Sequence, residues 1–154
     1  MSEKYDLVFE RNTNMTIDQI WKGWSDPATL MKWFCPLPWK VVDCRIDLRP
    51  GGEFYTLMQS PEGESFPNNG CFLEIIPNQK IVWTNMMTKN YQPMPIDNMG
   101  FSFSITLMLT NTTSGVNYKA IVAHSDKDGM QKHEQMGFHQ GWGIAFEQFE
   151  KLYS

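Results

Sequence analysis

The run "FSFSITLML" (101–109) alternates strictly between apolar and small polar side chains. Phe101, Phe103, Ile105, Leu107 and Leu109 share one parity, while Ser102, Ser104, Thr106 and Thr110 share the other. Successive strand side chains point to opposite faces, so this period of two predicts a strand buried on one face and wet on the other. An antiparallel sheet covered on one side has that property. The rest of the chain must then supply more strands and one apolar cover.

The strands come as pairs. "KVVDCRIDL" and "EFYTLM" flank Pro50-Gly51-Gly52, "CFLEIIP" and "KIVWTNMM" flank Pro77-Asn78-Gln79, and "FSFSITLML" and "VNYKAIVAH" flank Asn111 to Gly115. Each is two β-prone runs joined by turn formers, the signature of a hairpin. "YDLVFERN" (5–12) predicts a first strand ahead of them. Between it and the first hairpin, Thr16 is a candidate N-cap for a helix carrying Ile17, Ile20, Trp21 and Trp24 on one face. Asp26 before Pro27 predicts a cap for a second short helix, "PATLMKWF", closed by Pro36 and Pro38.

The cover is the last segment, from about Lys127 to Tyr153. Phe138, Trp142, Ala145, Phe146, Phe149, Leu152 and Tyr153 form one apolar stripe at helical period. Gly137, Gly141 and Gly143 fall inside this predicted helix, where each costs about 1 kcal/mol relative to Ala. Close approach to the sheet, or room for a bound molecule, would offset them. Strands plus covering helices make an α+β layer protein, read as one domain over 1–154.

Composition excludes several classes. Thirteen basic against 17 acidic residues give a net charge of −4 with no dense basic cluster, so no nucleic-acid partner is expected. No stretch is long enough to span a membrane, and the charged start lacks a signal peptide's apolar region. A cytoplasmic location is the expectation. Cys35, Cys44 and Cys71 are an odd number without metal-ligand spacing, so free thiols and no metal are predicted. The charged flanks of the first turn, Asp47 and Glu53, are read as solvated. "DLRPGGEF" (47–54) could be a phosphate-binding loop, but a strand follows the glycines where such a loop needs a helix N-terminus.

The chain resembles the single-domain bacterial relatives of the activator of heat-shock protein 90 ATPase. "IWKGWSDPATLMKWFCP" (20–36), "DLRPGGEF" (47–54), "FPNNGCFLEIIPNQKIVWT" (66–84) and "MGFHQGWGIAFEQFEKL" (136–152) carry the resemblance, in that order. "WFCP" and "FPNN" depart from the family's more frequent residues. The family belongs to the START-like superfamily, whose helix-grip fold is shared with polyketide cyclases and birch-pollen-type allergens. The resemblance implies a curved antiparallel sheet wrapped around a long C-terminal helix, with a cavity between them. It implies no shared catalytic residue and no cofactor.

Such a cavity would draw Trp33, Phe34 and Trp39 from the second helix and its exit. Strands would add Phe54, Met58, Phe66, Trp83, Phe101 and Phe103, and the long helix Met136, Trp142 and Phe146, with Trp142 foremost. Eleven Met and six Trp suit a soft, aromatic lining as well as a core. His124 shares the inward parity of Tyr118, Ala120 and Val122 and is the candidate acid or base, with His139 near the same space. His133, between Lys132 and Glu134, is expected on the surface. No nucleophile with a matching base is recognisable. The leading expectation is a protein that binds a small hydrophobic or aromatic molecule without chemistry of its own. The runner-up is an aromatase-, cyclase- or hydrolase-type enzyme using His124. Chaperone ATPase regulation ranks last, because the separate chaperone-binding domain of the eukaryotic activators has no counterpart here. A homodimer is compatible with all three.

Overall fold

The computed structural model describes residues 4–95 and 101–154. The chain opens with strand β1 (Tyr5–Thr13), then helices α1 (Ile17–Ser25) and α2 (Pro27–Leu30). Strands β2 (Lys40–Ile46), β3 (Glu53–Gln59), β4 (Ser65–Ile76) and β5 (Lys80–Thr84) follow. A small ribbon of β6 (Met87–Thr88) and β7 (Gln92–Pro93) precedes β8 (Phe103–Asn111) and β9 (Val116–His124). Helices α3 (Lys127–Gln135) and α4 (Phe138–Lys151) complete the fold.

Local chemistry sets these boundaries. The Thr16 hydroxyl accepts from the Gln19 amide while the Gln19 side chain accepts from the Thr16 amide, a reciprocal cap that starts α1. Asp26 accepts from the Thr29 amide, and Pro27 occupies the first helical position of α2. That helix stops at Leu30 rather than running to Phe34. The following turns tighten to Lys32→Thr29 and Trp33→Leu30 bonds, which swing the Trp33 indole back to donate to the Gly23 carbonyl at 3.1 Å.

Seven strands form one antiparallel sheet in the order β1-β9-β8-β5-β4-β3-β2. β4 begins at Ser65, earlier than the run starting at Cys71 suggested. Its first half pairs only with β3, so Pro67 sits where its missing amide breaks no second ladder. Bulges at Val41/Asp43 and Phe72/Glu74 add local bend to this half of the sheet. "DLRPGGEF" is the turn between β2 and β3, with Gly51 at a φ of 81° and the Gly52 amide donating to the Arg49 carbonyl. Arg49 pairs with Asp47 and Arg45 with Glu53, so the two carboxylates have separate partners.

The C-terminal segment differs from the single helix expected. Gly137 adopts a φ of 91° and separates α3 from α4. A left-handed residue cannot continue a right-handed helix, and glycine takes that conformation without steric cost. The core lies between the sheet's concave face and α1, α2 and α4. Ile20, Leu30, Phe72, Ile81, Leu107, Val122 and Phe149 are sealed within it.

Candidate functional site

The two halves of α4 meet the sheet differently. Toward its C-terminus Phe149 stacks flat on Trp33, with ring centroids 4.2 Å apart. One amide reinforces this end: Gln148 Nε2 donates to the carbonyls of Trp33 (3.1 Å) and Cys35 (2.9 Å), while its Oε1 accepts from the Leu37 amide (2.9 Å). Toward the N-terminus the packing opens. A cavity of about 290 Å³ lies between this half of α4, the α2–β2 loop and the strands.

Strand parity sets its wall on β3, β5 and β8, while β4 contributes three consecutive residues. Phe54, Thr56 and Met58 project from β3, Asn68, Asn69 and Gly70 come from β4, and Trp83 and Asn85 come from the β5 region. Phe103 and Ile105 contribute from β8 and Tyr118 from β9. Trp24 of α1 and the segment Trp33 to Pro36 close one side. His133, Met136, Gly137, Phe138, Gly141, Trp142, Ala145 and Phe146 close the other. No Lys, Arg, Asp or Glu is among these described residues.

Nine of the proposed residues line this space: Trp33, Phe34, Phe54, Met58, Trp83, Phe103, Met136, Trp142 and Phe146. Five do not. Trp39 and Phe66 pack against each other with their rings tilted and centroids 5.4 Å apart, outside the lining. His139 is half exposed and faces Glu134 at 3.4 Å. Phe101 is buried behind the cavity wall against His124 and His133. His124 is buried, but it sits one layer back.

The two histidines exchange their expected places. His133, expected on the surface, is buried to 9% exposure and lines the cavity. It sits on the inner face of α3 beside Gly129, which lets that helix approach Phe101. His124 Nδ1 lies 2.8 Å from the Tyr5 carbonyl and its Nε2 lies 2.9 Å from His133 Nδ1. Both His124 nitrogens are therefore occupied. Burial, reinforced by the nearby His124, pushes the His133 pKa down to about 4, so the ring is neutral near pH 7. A base that weak takes up protons poorly, which suits hydrogen bonding better than proton abstraction.

Tyr118 is the second buried polar group. Its hydroxyl accepts from Trp24 Nε1 at 3.1 Å, and burial raises its pKa. The hydroxyl proton has no acceptor among the described residues. Cys35, also in the lining, is pushed up to about 11 by burial and is an unreactive thiol at neutral pH. All three cysteines are free, and no cluster of metal-ligating side chains occurs among the described residues.

Tyr118 was legible, because it shares the inward parity that singled out His124. Thr56 likewise lies between Phe54 and Met58 on one parity. His133 could have been found from its three-residue spacing to Met130, which also packs on the core. Its charged neighbours pointed the other way.

The family model described as "Activator of Hsp90 ATPase homolog 1-like protein" matches residues 14–154. The chain belongs to this family. A crystal structure of protein NE0264 from Nitrosomonas europaea is 44% identical and superposes with a TM-score of 0.90, covering 96% of this chain and 92% of that one. A crystal structure of a protein from Rhodobacter sphaeroides shares the fold at 18% identity, with a TM-score of 0.84 over 96% of this chain and 91% of that one. The solution structure of the AHSA1-like protein from Aeromonas hydrophila does so at 16% identity, with a TM-score of 0.72 over 95% and 90%. A search of curated proteins found no match. Family membership accounts for the α+β, START-like architecture, a fold compatible with ligand binding. Among the described residues no helix is long and apolar enough to cross a membrane.

Proposed function

We propose that the protein binds a small, largely apolar or aromatic molecule in the cavity between the sheet and α4. The observation that carries this reading is the cavity itself: about 290 Å³, walled by Trp24, Trp33, Phe34, Trp83, Trp142 and Phe146, with no charged side chain among its described residues. Apolar enclosures with a few placed polar groups are the usual form of a small-molecule site. An apolar occupant would displace water from this apolar lining and gain dispersion contacts with it. Cys35 is held as a neutral thiol and Tyr118 as a neutral phenol, and no hydrogen bond joins either of them or Thr56 to His133 among the described residues. A binding role without chemistry is the better-supported reading.

The test is a thermal-unfolding screen against mono- and bicyclic aromatic compounds and short aliphatic ones. Stabilisation by aromatic members that fit the cavity supports the proposal. A screen in which no compound raises the unfolding temperature removes it.

A further inference from the structure

The Tyr5 carbonyl can only accept a hydrogen bond, so the His124 Nδ1 that lies 2.8 Å away must carry a proton. In a neutral imidazole the other nitrogen then bears a lone pair. His124 Nε2 is thus an acceptor, and its 2.9 Å bond to His133 requires His133 Nδ1 to donate. The same rule leaves His133 Nε2 unprotonated. While His124 is neutral, one backbone carbonyl, relayed through two rings, fixes the tautomer of the histidine at the cavity wall. Nε2 has no partner among the described residues, in a residue only 9% exposed, and it is not sealed from solvent.

We propose that the cavity selects uncharged aromatic ligands carrying a hydroxyl or N–H donor, which they present to His133 Nε2. This rests on the binding role proposed above and specifies its ligand class. A purely apolar occupant would strip water from Nε2 and offer nothing in return, a penalty that falls only on ligands without a donor. A carboxylate or phosphate would meet a lone pair rather than a proton at this point, and no described cation lines the cavity to neutralise it. An ammonium would find no carboxylate there. The low proton affinity of His133 agrees with this, since the ring does not become a cation that would welcome an anion near pH 7. Phe103 and Phe138 flank the His133 ring at 5.5 and 5.2 Å, which suits a planar apolar body beside it. The Tyr118 hydroxyl, further along β9, keeps a proton for an acceptor elsewhere on the ligand.

The experiment compares 2-naphthol, 2-methoxynaphthalene and 2-naphthoate by calorimetric or tryptophan-fluorescence titration of the full chain and of His133→Phe. We expect 2-naphthol to bind roughly ten- to a hundredfold more tightly than its methyl ether, and naphthoate to bind more weakly than either. In His133→Phe the ether should still bind while the advantage of the naphthol disappears. Equal affinity for naphthol and ether in the unaltered protein overturns the proposal and leaves the apolar cavity standing. So does a naphthol advantage that survives in His133→Phe. Absence of binding by all three probes contradicts both this proposal and the binding role. If His133→Phe does not fold, the naphthol-to-ether ratio in the unaltered protein decides.

Discussion

Gly23 in α1 and Gly141 in α4 both lie within helices beside the same aromatic layer, yet their surroundings are opposite. A Cβ at Gly23 would fall 2.2 Å from Phe149 Cζ and 2.4 Å from its Cε1. A Cβ at Gly141 would meet nothing nearer than Pro36 Cγ at 3.9 Å. Gly23 lets two helices touch, and Phe149 cannot retreat because it is stacked on Trp33. Gly141 faces the cavity and leaves its space open. One fold thus uses the same residue to close one end of its helix–sheet interface and to keep the other end hollow. In a close-packed interior the first is ordinary economy of space, whereas the second needs a reason.

The largest effect should come from breaking the closed end. Gly23→Val would force its branched side chain into Phe149, and we expect a loss of about 3–4 kcal/mol in urea unfolding. A loss below about 1 kcal/mol would mean that α1 and α4 are not in close contact. Gln148→Ala attacks the same end through polar groups, removing three hydrogen bonds to the Trp33–Leu37 segment. A loss of about 2 kcal/mol is expected, with faster amide exchange at Leu37 as the local signature.

At the hollow end the expected pH dependence comes from His133. An unfolded histidine binds its proton below about pH 6.5, whereas folded His133 resists until about 4. Between those values the unfolded chain holds more protons, so stability is full above about 6.5 and declines as the pH falls toward 4. The total should be about 2 kcal/mol after allowing for partial solvent access. In His133→Phe the stability curve should flatten across this window, and an unchanged slope would place the titration elsewhere. The smallest effect is a gain. Gly141→Ala should stabilise by up to about 1 kcal/mol, because helix propensity improves with no steric conflict. Destabilisation would show that the space beside Gly141 is already filled.

The contrast between these glycines also shows how far the sequence could be read. Periods of two and 3.6 located the strands and the apolar stripe of α4, since burial on one face writes itself into every second or every third and fourth residue. The Thr16 and Asp26 caps were legible because their hydrogen bonds are local. Glycine within α4 pointed to an exception without saying which kind. Whether a glycine admits a neighbour or preserves a void depends on side chains over a hundred positions away, as with Gly23 and Phe149. His133 was misplaced for a related reason. Its neighbours Lys132 and Glu134 are exposed, and only the turn of α3 against β9 brings its ring onto His124. The break at Gly137 escaped because the apolar spacing runs on to either side of it.

On the binding role proposed above, the space beside Gly141 holds a ligand rather than being an inert packing flaw. Thermal unfolding of the unaltered protein and of Gly141→Leu, each with and without saturating 2-naphthol, tests it directly. The leucine side chain would extend past Pro36 into the cavity without disturbing the Phe149 end. The naphthol should raise the unfolding temperature of the unaltered protein by about 5 °C or more at a hundredfold excess over Kd, and leave folded Gly141→Leu unmoved. An equal rise in both proteins, or none in either, would contradict it.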